Sequence, residues 1–317
     1  MVAVATPDET LRSPFWLHDA ISTVRALDAL RETGVVDALA EESASSDELA
    51  HTLGLARRPL ELALDVAERS GLVEARDGRW TLADGAMARL LAVGANLASV
   101  LRGGEPAEDA SVAEDSSRLY AGIVERIGRF AGPLSHDLLP VLRSPGQTVL
   151  EVAAGAAPWG RALCGDDPDT TVTALDLPDV LSVTRAAVDA AGFTDRFGFV
   201  AGDVFEVEAI EPADLVLVPG FCRLLGEDQN RDLMARLAGW CRPGGRIGVI
   251  DAVSTPASRA AGLAGYELGL LTRTARSRCW SLDHYARWLT DAGFAHIELT
   301  PTARPELSLV TARRDPT

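Results

Sequence analysis

Through residues 13–71 the apolar positions recur at helical spacing. Pro14 opens a helix that carries Phe15, Leu17, Ile21, Val24, Leu27 and Leu30 on one side, and Gly34 closes it. Ser45-Ser46-Asp47-Glu48 reads as the capped start of a second helix that reaches Leu53 and stops at Gly54. A third runs from Arg57 to Arg69, ahead of Gly71. The period then changes. Leu72-Val73-Glu74-Ala75 and Arg79-Trp80-Thr81-Leu82 flank Arg76-Asp77-Gly78, a hairpin pattern with Asp-Gly at the turn. Three helices and a hairpin make a winged helix.

Residues 103–117 are acidic, small and turn-rich, and read as a connection. Helical segments follow over 118–129 and 134–142. From Thr148 short apolar runs alternate with amphipathic ones, which predicts a mostly parallel sheet with ligand at the strand C-termini. The runs are Val149–Val152, Thr171–Asp176, Phe199–Phe205, Asp214–Gly220 and Gly245–Asp251, with helices over Arg231–Trp240 and Leu282–Ala292. Ser281 is the expected N-cap of the latter. Ala295–Leu299 and Leu307–Ala312 are expected to close the sheet as an antiparallel pair.

The strand ends carry the candidate chemistry. Glu151-Val152-Ala153-Ala154-Gly155 leads from a strand into a small-residue turn, where backbone can approach a nucleoside closely. Asp176, about 20–25 residues further on, stands where one carboxylate holds a ribose diol. Asp203 is suited to accept from an adenine amino group. Pro219-Gly220 ends the fourth strand.

Composition narrows the partners. A formal net charge of −16 argues against nucleic acid and anionic membrane. Residues 1–105 hold ten Arg against seventeen Asp and Glu, and Glu61, Asp65 and Glu68 sit on the helix that would enter DNA. All 30 basic residues are Arg, which excludes lysine-nucleophile chemistry. Four separated cysteines and five histidines show no metal-ligand spacing, so no metal is expected. No run reaches membrane-spanning length, and Met1–Asp8 lacks a basic n-region, so a cytoplasmic protein is expected.

Leu150–Gly155, Leu175-Asp176-Leu177-Pro178-Asp179-Val180, Gly202-Asp203-Val204-Phe205, Arg242-Pro243-Gly244-Gly245-Arg246 and Ala292-Gly293-Phe294 together resemble the S-adenosylmethionine-dependent small-molecule O-methyltransferases of the caffeate and hydroxyindole type, in their bacterial natural-product branch. The resemblance covers nearly the whole chain. It implies an α/β fold: a Rossmann-like class I methyltransferase domain over 146–317, a winged-helix dimerisation domain over 1–102, and between them a helical linker (103–145) that roofs the acceptor pocket. It implies S-adenosylmethionine held by Glu151, Ala153, Gly155, Asp176, Leu177, Asp203, Val204 and Pro219, a small-molecule acceptor and a homodimer.

Two departures stand out. Where the family's turn has Gly-Gly-Gly-x-Gly, this chain has Ala153, Ala154 and Ala157 and keeps only Gly155. A small Cβ is compatible with backbone at negative φ, which is the expected conformation here. The second departure is the general base. Arg223 stands at the family's His position, Asp251 at one of the two acids that orient it, and Cys279 near the other. Arg stays protonated and cannot take a proton. The candidates for chemistry are then Arg223 as a clamp for a carboxylate, with Asp251, His136, His18 and Tyr266 as possible bases; Arg223 turned outward onto Glu227 or Asp228 is the plainer reading. Methyl transfer to a small, anionic or already nucleophilic acceptor is the expectation. The alternatives are non-methylating S-adenosylmethionine chemistry (cyclase, lyase or hydroxylase) and a non-catalytic ligand-binding homologue.

Overall fold

The computed structural model describes residues 14–69, 72–82, 114, 117, 120, 124–260, 263–271, 274, 276–304 and 307–316. The expected tail over 1–12 and most of the 103–117 connection lie outside them. The chain divides into two compact units, Met1–Ala95 and Asn96–Thr317.

In the first unit, α1 (Pro14–Glu32), α2 (Val35–Glu41), α3 (Ser46–Leu53) and α4 (Arg57–Arg69) precede the hairpin β1 (Val73–Arg76) and β2 (Arg79–Leu82). The helix α2 is one more than the pattern predicts. Gly34, read as a stop, is a pivot at φ 78° from which the chain re-enters a helix at once. Its short apolar side, Val35 and Leu39, is buried with Leu30, Leu49, Leu60 and Leu64. Ser45 and Glu48 form the expected capping box, and Gly54 ends α3 in the left-handed conformation. Asp77 and Gly78 both have positive φ, as a two-residue hairpin turn requires.

The second unit starts, among described elements, with α5 (Val124–Leu142), one continuous helix where two segments were expected. Gly132-Pro133 looks like a break in sequence. The helix continues because Leu134, Leu138 and Leu142 lie one turn apart on a buried side that packs on the sheet's core. Seven strands follow: β3 (Thr148–Val152), β4 (Thr171–Asp176), β5 (Phe197–Ala201), β6 (Ala213–Pro219), β7 (Cys241–Asp251), β8 (Phe294–Pro301) and β9 (Ser308–Arg314). Their order is β5-β4-β3-β6-β7-β9-β8, parallel through β7, with β9 antiparallel to β7 and to β8.

Helices cover both faces. Leu215 and Leu217 of β6 join the layer beneath α5, α6 (Pro158–Asp166) and α7 (Pro178–Ala190). Val216 and Val218, alternating with them, pack under α8 (Glu227–Trp240) and α11 (Leu282–Asp291). The strand order reverses between β3 and β6, so the crevice for a ligand opens beyond the C-terminal ends of those two strands. Ser281 precedes α11 as expected, but its hydroxyl is engaged with His284 Nδ1 at 2.8 Å instead of capping a backbone N–H.

Candidate active site

The turn after β3 is the floor of that crevice. Ala153 (φ 52°), Gly155 (φ 56°) and Ala157 (φ 49°) all have positive φ. This corrects the expectation of negative φ: two alanines occupy left-handed conformations that favour glycine, at roughly 1–2 kcal/mol each. The surroundings enforce the shape. Ala157 N–H donates to Ala154 O at 2.7 Å, and Thr184 Oγ1 donates to Gly155 O at 2.5 Å. Gly128 of α5 rests so close that a Cβ there would lie 2.6 Å from the Ala156 methyl. Sequence reading passed over Gly128 because a glycine inside a helix has no partner until the fold supplies one.

Glu151 is fully buried. Its Oε2 accepts the Gly160 N–H at 2.8 Å near the start of α6, while Oε1 has no partner among the described residues. Burial pushes its pKa up to about 8, against the opposing pull of the Gly160 N–H and the charge of Arg161. Its hydrogen bond to Gly160 ties the end of β3 to the start of α6 beneath the turn. Gly160 is required here, since a Cβ would come within 2.6 Å of that oxygen.

Asp176, at the end of β4, accepts Gly155 N–H on Oδ2 and Leu177 N–H on Oδ1, both at 2.8 Å. Each oxygen keeps a lone pair, the arrangement a vicinal diol needs. Burial raises its pKa to about 6 despite those two donors. Asp203 accepts Phe205 N–H at 2.9 Å, and Val204 beside it is buried. Gly202 lets the chain turn there, because a Cβ would meet Val207 at 2.7 Å. Pro219 ends β6. The residues present therefore fit a nucleoside with a free ribose diol: a buried, under-solvated carboxylate at the right strand end beside a turn of small residues.

Arg223 follows Pro219-Gly220 and sits in a short 3-10 turn, Cys222–Leu224. It does not turn outward to Glu227 or Asp228. Its Nη1 donates to Asp251 Oδ1 at 2.7 Å, and its own backbone N–H donates to Asp251 Oδ2 at 3.0 Å. The side chain is 18% exposed and its Nε is buried without a hydrogen-bond partner among the described residues. After β7 come the short helix α9 (Pro256–Ala260) and α10 (Leu263–Leu270), and the Tyr266 ring of α10 lies 5.6 Å from the guanidinium carbon. Burial opposes the charge, yet the Tyr266 and Asp251 oxygens hold the guanidinium's pKa above even its usual high value.

Asp251, at the end of β7, is fully buried and accepts four donors: Arg223 N–H, Arg223 Nη1, Ala252 N–H at 2.8 Å and Tyr285 O–H at 3.2 Å. Two carboxylate oxygens offer about four lone-pair positions, so none is left to take a proton from an acceptor. Asp251 anchors Arg223 and is not placed as a base. Cys279 is buried nearby, its thiol pushed up to about 12 by burial beside Glu267 and Asp251. His136 is exposed on α5, and the side chain of His18 lies outside the described residues. Of the proposed catalytic group, Arg223, Asp251 and Tyr266 are brought together and His136 points to the surface. The residue that sequence reading missed is Tyr285. It stands on a helix whose Tyr285, Trp288 and Leu289 spacing reads as core.

A seven-stranded sheet in this order, with acids at the ends of its second and third parallel strands, defines a Rossmann-like class I methyltransferase domain. Residues 145–295 match the O-methyltransferase domain family, and with the relatives that follow this makes the protein an S-adenosylmethionine-dependent methyltransferase. A 3-hydroxy-5-methyl-1-naphthoate 3-O-methyltransferase of Streptomyces sahachiroi is 27% identical over 314 residues, covering 91% of this chain and 90% of that one. Mouse acetylserotonin O-methyltransferase is 27% identical over 176 residues, 54% of this chain and 45% of that one. Among solved structures, PigF with SAH superposes at TM-score 0.72 with 18% identity, covering 98% of this chain and 100% of the other. Human N-acetylserotonin methyltransferase with SAM gives 0.67 at 20% identity, covering 99% and 100%. At those identities the two structures speak for the fold. Among the described residues no helix is long and apolar enough to cross a membrane.

Proposed function

We propose that this enzyme methylates an oxygen of a small anionic acceptor whose carboxylate is held by Arg223, without a histidine general base. The observation that carries the reading is Arg223 Nε, a charged, buried donor with no partner among the described residues. Nη1 lies on the Cδ side of the guanidinium and is taken by Asp251, so Nε and Nη2 share the remaining edge. That edge is the two-pronged one that matches a carboxylate. Leaving a buried donor unsatisfied costs roughly 1–3 kcal/mol, which an arriving carboxylate would recover.

S-adenosylmethionine supplies an electrophilic methyl group on a sulfonium sulfur. Asp176 would hold its ribose, Asp203 and Val204 would border the adenine, and the 153–157 turn and Leu177 would line the rest. The acceptor hydroxyl reacts as its oxyanion, its proton lost to solvent before transfer, and the protein then supplies orientation and not deprotonation. The oxyanion's lone pair forms the O–CH3 bond as the S–CH3 bond breaks, and no proton has to be removed in that step. Arg223 would align the acceptor and stabilise its charge, with Tyr266 against the guanidinium. The name of the Streptomyces relative specifies a hydroxynaphthoate, an acceptor with both a hydroxyl and a carboxylate, and that class suits this edge.

The same reading gives 103–145 the role of a roof over the acceptor, supported by the approach of Gly128 to Ala156. It gives residues 1–102 a role in homodimerisation, supported by Val24 and Leu62, each 58% exposed. The test of function compares 3-hydroxy-1-naphthoate with its carboxamide as acceptors, with products identified by mass spectrometry. The acid should be methylated in preference to the amide, and Arg223→Lys should lose at least about tenfold in kcat/KM on the acid while keeping the charge. Equal turnover of acid and amide by the wild type would overturn the proposal.

A further inference from the structure

Asp251 and Arg223 are paired through one prong where two would be stronger. A carboxylate left alone beside a guanidinium takes both of its parallel N–H bonds. Here Asp251 reaches Arg223 with Oδ1 only. Its Oδ2 is held back by Arg223 N–H at 3.0 Å and by the Tyr285 hydroxyl at 3.2 Å. The backbone donor comes with the turn itself, so among the described residues Tyr285 is the side chain that pins Oδ2. Tyr285 is fully buried on α11 and packs edge-on against Trp288, with ring centroids 5.4 Å apart. Its ring cannot swing away without opening that core, and burial beside Asp251 holds the phenol protonated as a donor.

We infer that Tyr285 is a positioning residue for acceptor selection: by holding Asp251 Oδ2 away, it keeps the Nε/Nη2 edge of Arg223 open for the carboxylate of the acceptor. The inference rests on the reading that Arg223 binds that carboxylate. Without the hydroxyl, Asp251 is free to rotate and close onto a second guanidinium nitrogen. The site would then compete with its own acceptor, and a neutral analogue, which gains nothing from the edge, would lose nothing.

The experiment measures calorimetric binding of 3-hydroxy-1-naphthoate and of its carboxamide to the full-length protein saturated with S-adenosylhomocysteine. Tyr285→Phe keeps the ring and its contact with Trp288; Tyr285→Met fills the space without a hydroxyl and is the second variant. Both should bind S-adenosylhomocysteine as the wild type does, weaken the acid by about tenfold, and leave the amide within about twofold. Adding Asp251→Asn to Tyr285→Phe should recover part of the acid's affinity, because an amide cannot pair with both prongs. A purely structural role for Tyr285 would weaken acid and amide alike, and that result overturns the inference. So does unchanged acid binding in either variant while the wild type prefers the acid. If the wild type itself does not prefer the acid, the reading of Arg223 falls and this inference falls with it.

Discussion

The carboxylate of Asp176, at the tip of β4, accepts the backbone N–H of Gly155, in the turn after β3, at 2.8 Å. One side chain thus fixes the turn, and under the proposed function its remaining lone pairs would take the ribose hydroxyls. The two tasks are coupled through charge. Burial raises the carboxyl to about 6 in the free protein, and two hydroxyl donors favour its ionised form. Affinity for S-adenosylhomocysteine should therefore be flat above about pH 7 and fall as the pH drops through about 6, by up to tenfold per unit. Asp176→Asn should bind ten- to a hundredfold more weakly, at roughly 1.5–3 kcal/mol for hydrogen bonds to a charged group, with little pH dependence between 5 and 7. Calorimetry across that range decides it; unchanged affinity in the variant would move the ribose elsewhere.

Glu151 titrates in the opposite service. Its pKa is about 8 when folded against 4.5 as an ordinary side chain, so the folded state prefers the protonated form. Its stabilising contribution is complete below about pH 4.5 and is lost progressively as the pH rises to about 8. Glu151→Gln can still accept the Gly160 N–H and does not ionise. The variant's stability relative to wild type should rise between those pH values, by an amount on the order of 3 kcal/mol at the upper end. Urea unfolding at pH 5 and pH 8.5 measures the difference; a gap that does not change with pH would mean the carboxyl is solvated.

How far these residues were legible in the sequence depends on how local their geometry is. Asp176 and Asp203 could be placed because a strand's end is set by the apolar run before it. The capping box at Ser45 and Glu48 and the turn at Asp77-Gly78 are local in the same way. The left-handed alanines were not legible: Ala153 and Ala157 are held at positive φ by Asp176, Thr184 and the packing of α5, none of which adjoins them in the chain. Arg223 could be singled out just past the fourth strand, but the direction of its side chain depends on Asp251, 28 residues on, whose other oxygen is held by Tyr285 on a helix later still. The helix α5 runs through Gly132-Pro133 because its buried leucines outweigh the local break.

The two alanines give a differential test. Ala153 is half-buried, and glycine there relieves roughly 1–2 kcal/mol of left-handed strain against an entropic loss of about 0.4–1 kcal/mol in the unfolded chain. Ala153→Gly should therefore be neutral to stabilising by about 1 kcal/mol. Ala157 is fully buried among Trp159 and Leu163, so losing its methyl costs about 0.8 kcal/mol and cancels the gain. Ala157→Gly should be neutral or slightly destabilising. Thermal unfolding should rank Ala153→Gly above Ala157→Gly; the reverse order would mean that strain is not what distinguishes the sites.

Gly220 is the floor on which the Arg223 guanidinium rests. It has φ 68°, and a Cβ there would lie 2.9 Å from Nη2, 3.0 Å from Nη1 and 3.3 Å from Cζ. The end of an arginine can usually move aside, but this one is tied to Asp251 at 2.7 Å and faces the Tyr266 ring. Gly220→Ala should do two separable things. It should cost roughly 1–2 kcal/mol of stability from the left-handed backbone alone. It should also push the guanidinium off its seat, lowering acceptor turnover by at least about tenfold, since small misplacements near reacting groups have large effects on rate. Gly192 supplies the control. It has a similar φ of 74°, with nothing within 4 Å of where a Cβ would stand. Gly192→Ala should show the stability loss without the loss of turnover, and both variants should bind S-adenosylhomocysteine as the wild type does. If Gly220→Ala turns over its acceptor as fast as Gly192→Ala, the seat is not what orients Arg223, and Asp251 alone must be enough to hold it.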